Sequence, residues 1–144
     1  MVQAAANLPI RSAIIDGEAV VLGDTGLPDY QALERELGNP NSPRLIFYAF
    51  DLLHLSGRDL RQQPLIERKA ALEKLLSDTA PRLTYAEHLK VSRSDMFAHA
   101  CRMGLEGIVS KRADAPYRSG VQTRCVIRTA IGCAKNWLMA STPW

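Results

Sequence analysis

Between Ala13 and Leu22 the side chains alternate so regularly that a β-strand with one covered face is the natural reading. Ile15, Gly17, Ala19 and Val21 fall on one side, and Ile14, Asp16, Glu18, Val20 and Leu22 on the other. Two carboxylates therefore project together from a strand whose opposite face is wholly apolar. Asp16-Gly17-Glu18 carries two readings. It is a solvent-facing strand edge, or a place where two acceptors hold a divalent cation or a sugar hydroxyl. Gly23-Asp24-Thr25-Gly26 then signals a turn, and Pro28 to Leu37 reads as a helix closed by Gly38 and Pro40.

A second strand is expected over Leu45–Leu53. Strict alternation puts Ile46, Tyr48, Phe50 and Leu52 on one face and Phe47, Ala49 and Asp51 on the other, with Ser56-Gly57 ending the run. A phenylalanine in such a strand is either core or, at a strand end, a ring on which a base stacks. Pro64 opens the clearest helix. Leu65, Leu72, Leu75 and Leu76 supply its apolar stripe, and Lys, Arg and Glu fill the rest. Leu83–Tyr85 reads as a short strand, and Ser94 as the N-cap of a helix running to Arg102 or Met103 and stopped by Gly104.

Leu105, Ile108 and Val109 are what a buried strand needs, yet Glu106 and Lys111 bracket them with charge. An ionised Glu106 buried without a cation or hydrogen-bond donors would be costly. It stands five positions from Lys111, which puts the two on opposite faces of a regular strand. A ligand shared by both requires a bulge or bend. Strands and helices follow no regular spacing, and there is no internal repeat, so the pattern indicates an α+β domain rather than a doubly wound sheet.

At 144 residues the chain can bury roughly two-thirds of its unfolded surface. Its charge is unevenly placed. Residues 1–90 carry ten Lys/Arg against twelve Asp/Glu, whereas residues 91–144 carry eight against three. A basic C-terminal third suits a phosphate-rich partner, or is simply a solvated basic face. Three cysteines without Cys-x-x-Cys spacing and three scattered histidines indicate neither a disulfide framework nor a zinc site. No apolar run approaches a membrane span and no leader is recognisable, so a cytoplasmic protein is expected. No Ser/His/Asp arrangement or Gly-rich phosphate loop supports a hydrolase or a Walker-type reading.

Taken in order, these segments resemble the nucleotidyltransferase (adenylation) domain of ATP-dependent DNA ligases of the bacterial end-joining type. Asp16-Gly17-Glu18 looks like the family's third motif, Phe47-Tyr48-Ala49-Phe50-Asp51-Leu52-Leu53 like the aromatic motif after it, and Glu106-Gly107-Ile108-Val109-Ser110-Lys111 like the fourth. Pro64-Leu65-Ile66-Glu67-Arg68-Lys69 and Arg112-Ala113-Asp114-Ala115-Pro116-Tyr117-Arg118-Ser119-Gly120 also read like such ligases. The resemblance implies an α+β fold: a partial, ATP-grasp-like nucleotidyltransferase domain of antiparallel sheets with packed helices over residues 1–120. It implies ATP and Mg²⁺ as cofactors, nicked or broken duplex DNA as the partner, and a role in DNA repair and recombination. Glu18 would contact the ribose or organise metal-bound water, Phe50 would stack on adenine, Glu106 would bind the metal, and Lys111 would lie near the phosphates. Arg112 and Arg118 are the candidates for contact with DNA.

Two departures qualify the resemblance. The family's Lys-x-Asp-Gly motif carries the lysine that attacks ATP and should precede Asp16 by several tens of residues. Only fifteen residues precede Asp16 and none is lysine. The chain is therefore expected to be a fragment that cannot adenylate itself unless a separate chain supplies the missing motifs. After Gly120 the family runs into a Trp-hydrophobic-Lys-x-Lys motif. Here residues 121–144 diverge, with Lys135-Asn136-Trp137-Leu138 late and lacking paired lysines, as if the reading frame broke. The alternatives are a non-catalytic nucleotide- or DNA-binding module and an inert truncated gene product.

Overall fold

The alternation near the N-terminus builds β1 (Ala13–Val20), which pairs antiparallel with the longer β2 (Ile46–Leu55). The structure is a computed structural model that describes residues 5–39, 42–77, 82–89, 91–102, 105, 107–120, 124–128 and 137–142. The chain divides into two units, one of residues 1–61 and 67–86, the other of residues 62–66 and 87–144. Among the described residues no helix is long and apolar enough to cross a membrane.

In the first unit β2 is the central strand. β1 lies along one edge. The other edge is shared by β3 (Arg58–Asp59), antiparallel at the end of β2, and β4 (Leu83–Tyr85), parallel near its start. Ser56 and Gly57 join β2 to β3 as a two-residue loop with φ of 46° and 91°. Positive φ at both loop positions matches the right-handed twist of a hairpin. α1 (Tyr30–Leu37) follows the Gly23–Gly26 turn, with the Asp29 carboxylate accepting from the Ala32 amide at 2.9 Å as its N-cap.

The core of this unit lies between the sheet and α2 (Leu65–Leu76). Leu72 and Leu76 pack with Ala49, Leu52, Leu60 and Leu83, and Ala13, Ile15, Phe47, Leu55 and Leu75 close around them. The apolar face of β1 is the one expected, and Ala19 near its far end packs against a second small cluster of Val21, Ala32 and Leu45.

β2 departs from strict alternation. Its register against β1 slips by one residue at Leu53 and again at Phe50, so Ile15 lies opposite Leu52, Asp16 opposite Asp51 and Gly17 opposite Ala49. Two bulges shift the strand's parity. Leu52 consequently joins Phe47 and Ala49 in the core, where alternation had put Asp51.

In the second unit β5 (Gly107–Arg112) runs between β6 (Arg124–Arg128), antiparallel, and β7 (Trp137–Thr142), parallel. Ile108, Val109 and Ser110 are buried, as a central strand requires, and α3 (Arg93–Arg102) packs on β5. The cap of α3 is Ser92 rather than Ser94. The Ser92 hydroxyl accepts from the Asp95 amide at 3.2 Å and donates to the Asp95 carboxylate at 2.6 Å. That reciprocal pair resembles a capping box and fixes the helix start two residues earlier. The amides of Leu65 and Ile66 donate to the carbonyls of Ala115 and Ala113 at 3.0 and 2.9 Å, which satisfies donors a first helical turn leaves open.

Candidate functional site

Glu18 is exposed opposite Tyr48, and Asp16, half-buried, lies opposite Asp51. Gly17 separates them for a packing reason. A Cβ there would come within 2.6 Å of the Tyr48 carbonyl oxygen and would overlap the Phe47 ring, which lies against the glycine from the neighbouring strand. The glycine thus leaves the space that the Phe47 ring occupies. Asp16 and Glu18 keep their common face because β1 itself carries no extra residue.

Phe50 occupies a bulge. It is half-buried, and the ladder steps past it between Asp51 and Ala49. Bulges re-aim side chains and concentrate near functional sites. Directly after it Asp51 is buried, its carboxylate accepting from the Leu52 amide at 2.9 Å and from Arg68 Nε and Nη2 at 2.8 Å each. Lys69, next in α2, donates to the Ala86 carbonyl at 2.9 Å and the Phe50 carbonyl at 3.4 Å, with its ammonium 4.6 Å from the centre of the Tyr85 ring. Sequence reasoning missed Arg68 and Lys69 by counting them with the solvated face. A signal was present: both stand at helical spacing from Leu65, Leu72 and Leu76, on the apolar stripe, and a lone aspartate in an apolar strand needs a cation.

In the second unit Lys111 is half-buried, in register with Arg124 on β6 and Ser141 on β7. The ladder runs without a slip from Gly107 to Lys111, so the described part of β5 contains no bulge that would turn Lys111 toward its opposite face. Glu106 lies outside the described residues. Arg112 is exposed and bound to Asp114 through Nε at 3.0 Å and Nη2 at 2.7 Å. That pairing lowers the Asp114 carboxyl below the ordinary carboxylate range and raises the Arg112 guanidinium. Arg118 is exposed.

Among the described residues no three His, Cys, Asp or Glu side chains gather as a metal cluster. The exposed Glu18 carboxylate is a hard oxygen donor. Alone it could give one ligand to a hydrated divalent cation such as Mg²⁺, and it forms no closed protein cage. A half-open cavity of about 580 Å³, lined by Leu8, Ile10, Ile15, Phe47 and Leu83 among others, lies on the apolar side of β1 and contains neither carboxylate.

Comparison with known proteins places this geometry in a family. Residues 1–127 match the ATP dependent DNA ligase domain. The multifunctional non-homologous end joining protein LigD of Pseudomonas aeruginosa is 37% identical over 133 residues, covering 88% of this chain and 16% of that protein. A DNA ligase of Natronomonas pharaonis is 35% identical over 134 residues, covering 88% of this chain and 22% of its own length. Among solved structures, the ligase domain of M. tuberculosis LigD superposes with a TM-score of 0.67 at 33% identity, covering 81% of this chain and 38% of that one. A mycobacterial DNA ligase D complexed with ATP and MES gives 0.64 at 30% identity, with the same coverage. The chain thus spans less than a quarter of these two relatives and little over a third of the solved ligase domains. On its fold, its ordered motifs and these matches, it belongs to the ATP-dependent DNA ligase domain family, of the kind found in bacterial end-joining ligases.

Proposed function

We propose that this chain forms part of the nucleotide pocket of an ATP-dependent DNA ligase. Such a ligase seals nicked or broken duplex DNA through lysyl-AMP and DNA-adenylate intermediates, and this chain does not form lysyl-AMP itself. The observation that carries the reading is Phe50: the aromatic motif's candidate ring sits on a bulge, beside a strand face bearing Asp16 and Glu18. Phe50 stacks on adenine. Glu18 contacts the ribose or the waters of Mg²⁺, Glu106 is the second metal ligand, and Lys111 lies near the phosphates. Bound Mg²⁺ offsets the charge of the triphosphate.

Arg118 and Arg112 are the proposed contacts to DNA phosphates, and Arg112 must exchange Asp114 for its phosphate. A cytoplasmic location accompanies this substrate. None of the motifs read above carries the covalent lysine, and a separate chain is the proposed source of it. Residues 121–144 are read as the divergent end of a disrupted frame, which translation of the flanking DNA in all frames tests.

Incubation with radiolabelled ATP and Mg²⁺ is the direct experiment. No labelled band is expected after denaturing electrophoresis, and a band stable to denaturant would refute the reading. The excess of basic residues beyond residue 90, eight against three acidic, favours a second reading as a non-catalytic DNA-binding module. It predicts binding to nicked duplex that weakens steeply with salt.

A further inference from the structure

We infer that Lys69, with Arg68 beside it, is a positioning residue for the Phe50 ring. The inference rests on the nucleotide reading of Phe50 and goes further by naming what holds the ring in place. A bulge disrupts the ladder around its extra residue, and backbone groups so released must find other partners if they are buried. On the second edge of β2 the ladders to β4 and β3 stop on either side of Phe50. The Ala86 amide still donates to the Ala49 carbonyl at 2.7 Å, but β4 ends at Tyr85 and β3 begins to pair only at His54.

Lys69 reaches this stretch from α2. Its ammonium carries three donors, and it bridges the Phe50 carbonyl on β2 to the Ala86 carbonyl just past β4 while resting on the face of Tyr85. Arg68 fixes the next residue by taking both oxygens of the Asp51 carboxylate. Successive helical residues point about 100° apart, so neighbours in α2 hold the bulge at two different atoms. Both side chains are buried, Lys69 to 4% and Arg68 to 2% residual exposure.

Buried cations of this kind add little net stability over apolar residues of similar size. What they fix is geometry. A bulge pinned at the carbonyl of Phe50 and at the side chain of Asp51 cannot slide along the ladder, and the ring cannot exchange places with a neighbour. Stacking is sensitive to such placement, because its contribution of roughly fivefold or more in affinity per base depends on face-to-face contact.

A double-mutant cycle on the full chain separates this role from a merely structural one. ATP affinity is measured by titration calorimetry for the wild type, Phe50→Ala, Lys69→Met and the double variant, with the thermal midpoint of each recorded. Lys69→Met is expected to weaken ATP binding about fivefold in the wild-type background and to have no further effect once Phe50 is alanine, because the lysine acts through the ring. Lys69→Arg is expected to retain most of the affinity. Should Lys69→Met fail to fold, Tyr85→Leu takes its place, with a smaller loss and the same cycle. Losses that simply add, or a Lys69→Met protein that binds ATP normally, overturn the positioning role alone. A wild type that does not bind ATP, or a Phe50→Ala variant with unchanged affinity, overturns the nucleotide reading beneath it.

Discussion

Arg68 holds Asp51 through two parallel hydrogen bonds of 2.8 Å, and the two side chains retain only 3% and 2% of their exposure. Asp51 also stands across the ladder from Asp16, so without the guanidinium two like charges would face each other over a strand pair. One helix residue therefore decides whether a carboxylate can sit inside this sheet.

Removing one partner of that pair leaves the other charge buried and uncompensated. Arg68→Ala is expected to lower unfolding free energy by about 3–5 kcal/mol, while the double change Asp51→Leu with Arg68→Met is expected to cost far less. Urea denaturation of the three proteins measures both. Equal losses in the single and double variants would sink the argument.

Gly17→Ala tests the close approach of the Phe47 ring and the Tyr48 carbonyl. The added methyl has no free space, and backbone cannot yield as a flexible side chain can. A loss of about 1–3 kcal/mol is expected, the usual range for overpacking. Gly38→Ala, where nothing lies within 4 Å of the added carbon, serves as the control and should be close to neutral.

The exposed Asp59 carboxyl is drawn down to about 2 from 3.8, first by hydrogen bonds from the Arg61 side chain and then by the Arg61 amide. A carboxyl depressed by folding contributes stability that is complete above its unfolded value and is lost as pH falls through the folded one. The window here lies between pH 3.8 and about 2. A carboxyl-carbon NMR titration should place the Asp59 midpoint near the bottom of that window, and Arg61→Ala should move it back up toward 3.8.

Ser92→Ala removes both hydrogen bonds that start α3. The expected cost is about 0.5–2 kcal/mol, whereas Ser94→Ala should cost little. Thermal melts of the two variants compare them directly, and a larger loss at Ser94 would contradict the cap assignment.

Glu18→Gln addresses the metal side of the nucleotide proposal. If its carboxylate organises the waters of Mg²⁺, ATP affinity should fall about tenfold with Mg²⁺ present and stay unchanged in EDTA, the size expected for a hydrogen bond to a charged group. An equal fall in both buffers points to the ribose instead. Calorimetric titration in the two buffers distinguishes them.

Much of the first unit was legible in the sequence. The alternation of β1 survives intact because that strand has no extra residue, and the Leu72–Leu75–Leu76 stripe of α2 packs as its spacing indicates. The facing of β2 was not legible. Period-two counting has no means of registering an inserted residue, and two insertions three positions apart moved Leu52 inward. Arg68 and Lys69 escaped for a related reason: pattern reading scores charge as exposure, whereas here the long side chains cross the apolar stripe to reach partners on the sheet. Ser92 and Ser94 flank the same arginine and differ as caps only through which one Asp95 can answer.

The bulge at Phe50 has an evolutionary consequence as well. Every β1 residue from Asp16 to Val20 already has its cross-strand neighbour without counting Phe50, so a chain deleted at that single codon could close the same ladder as a plain two-stranded pairing. Architecture and ligand recognition are thus separable at one residue. The ring proposed to hold adenine is an addition to the sheet rather than one of its parts, open to loss or replacement while its neighbours remain where they are.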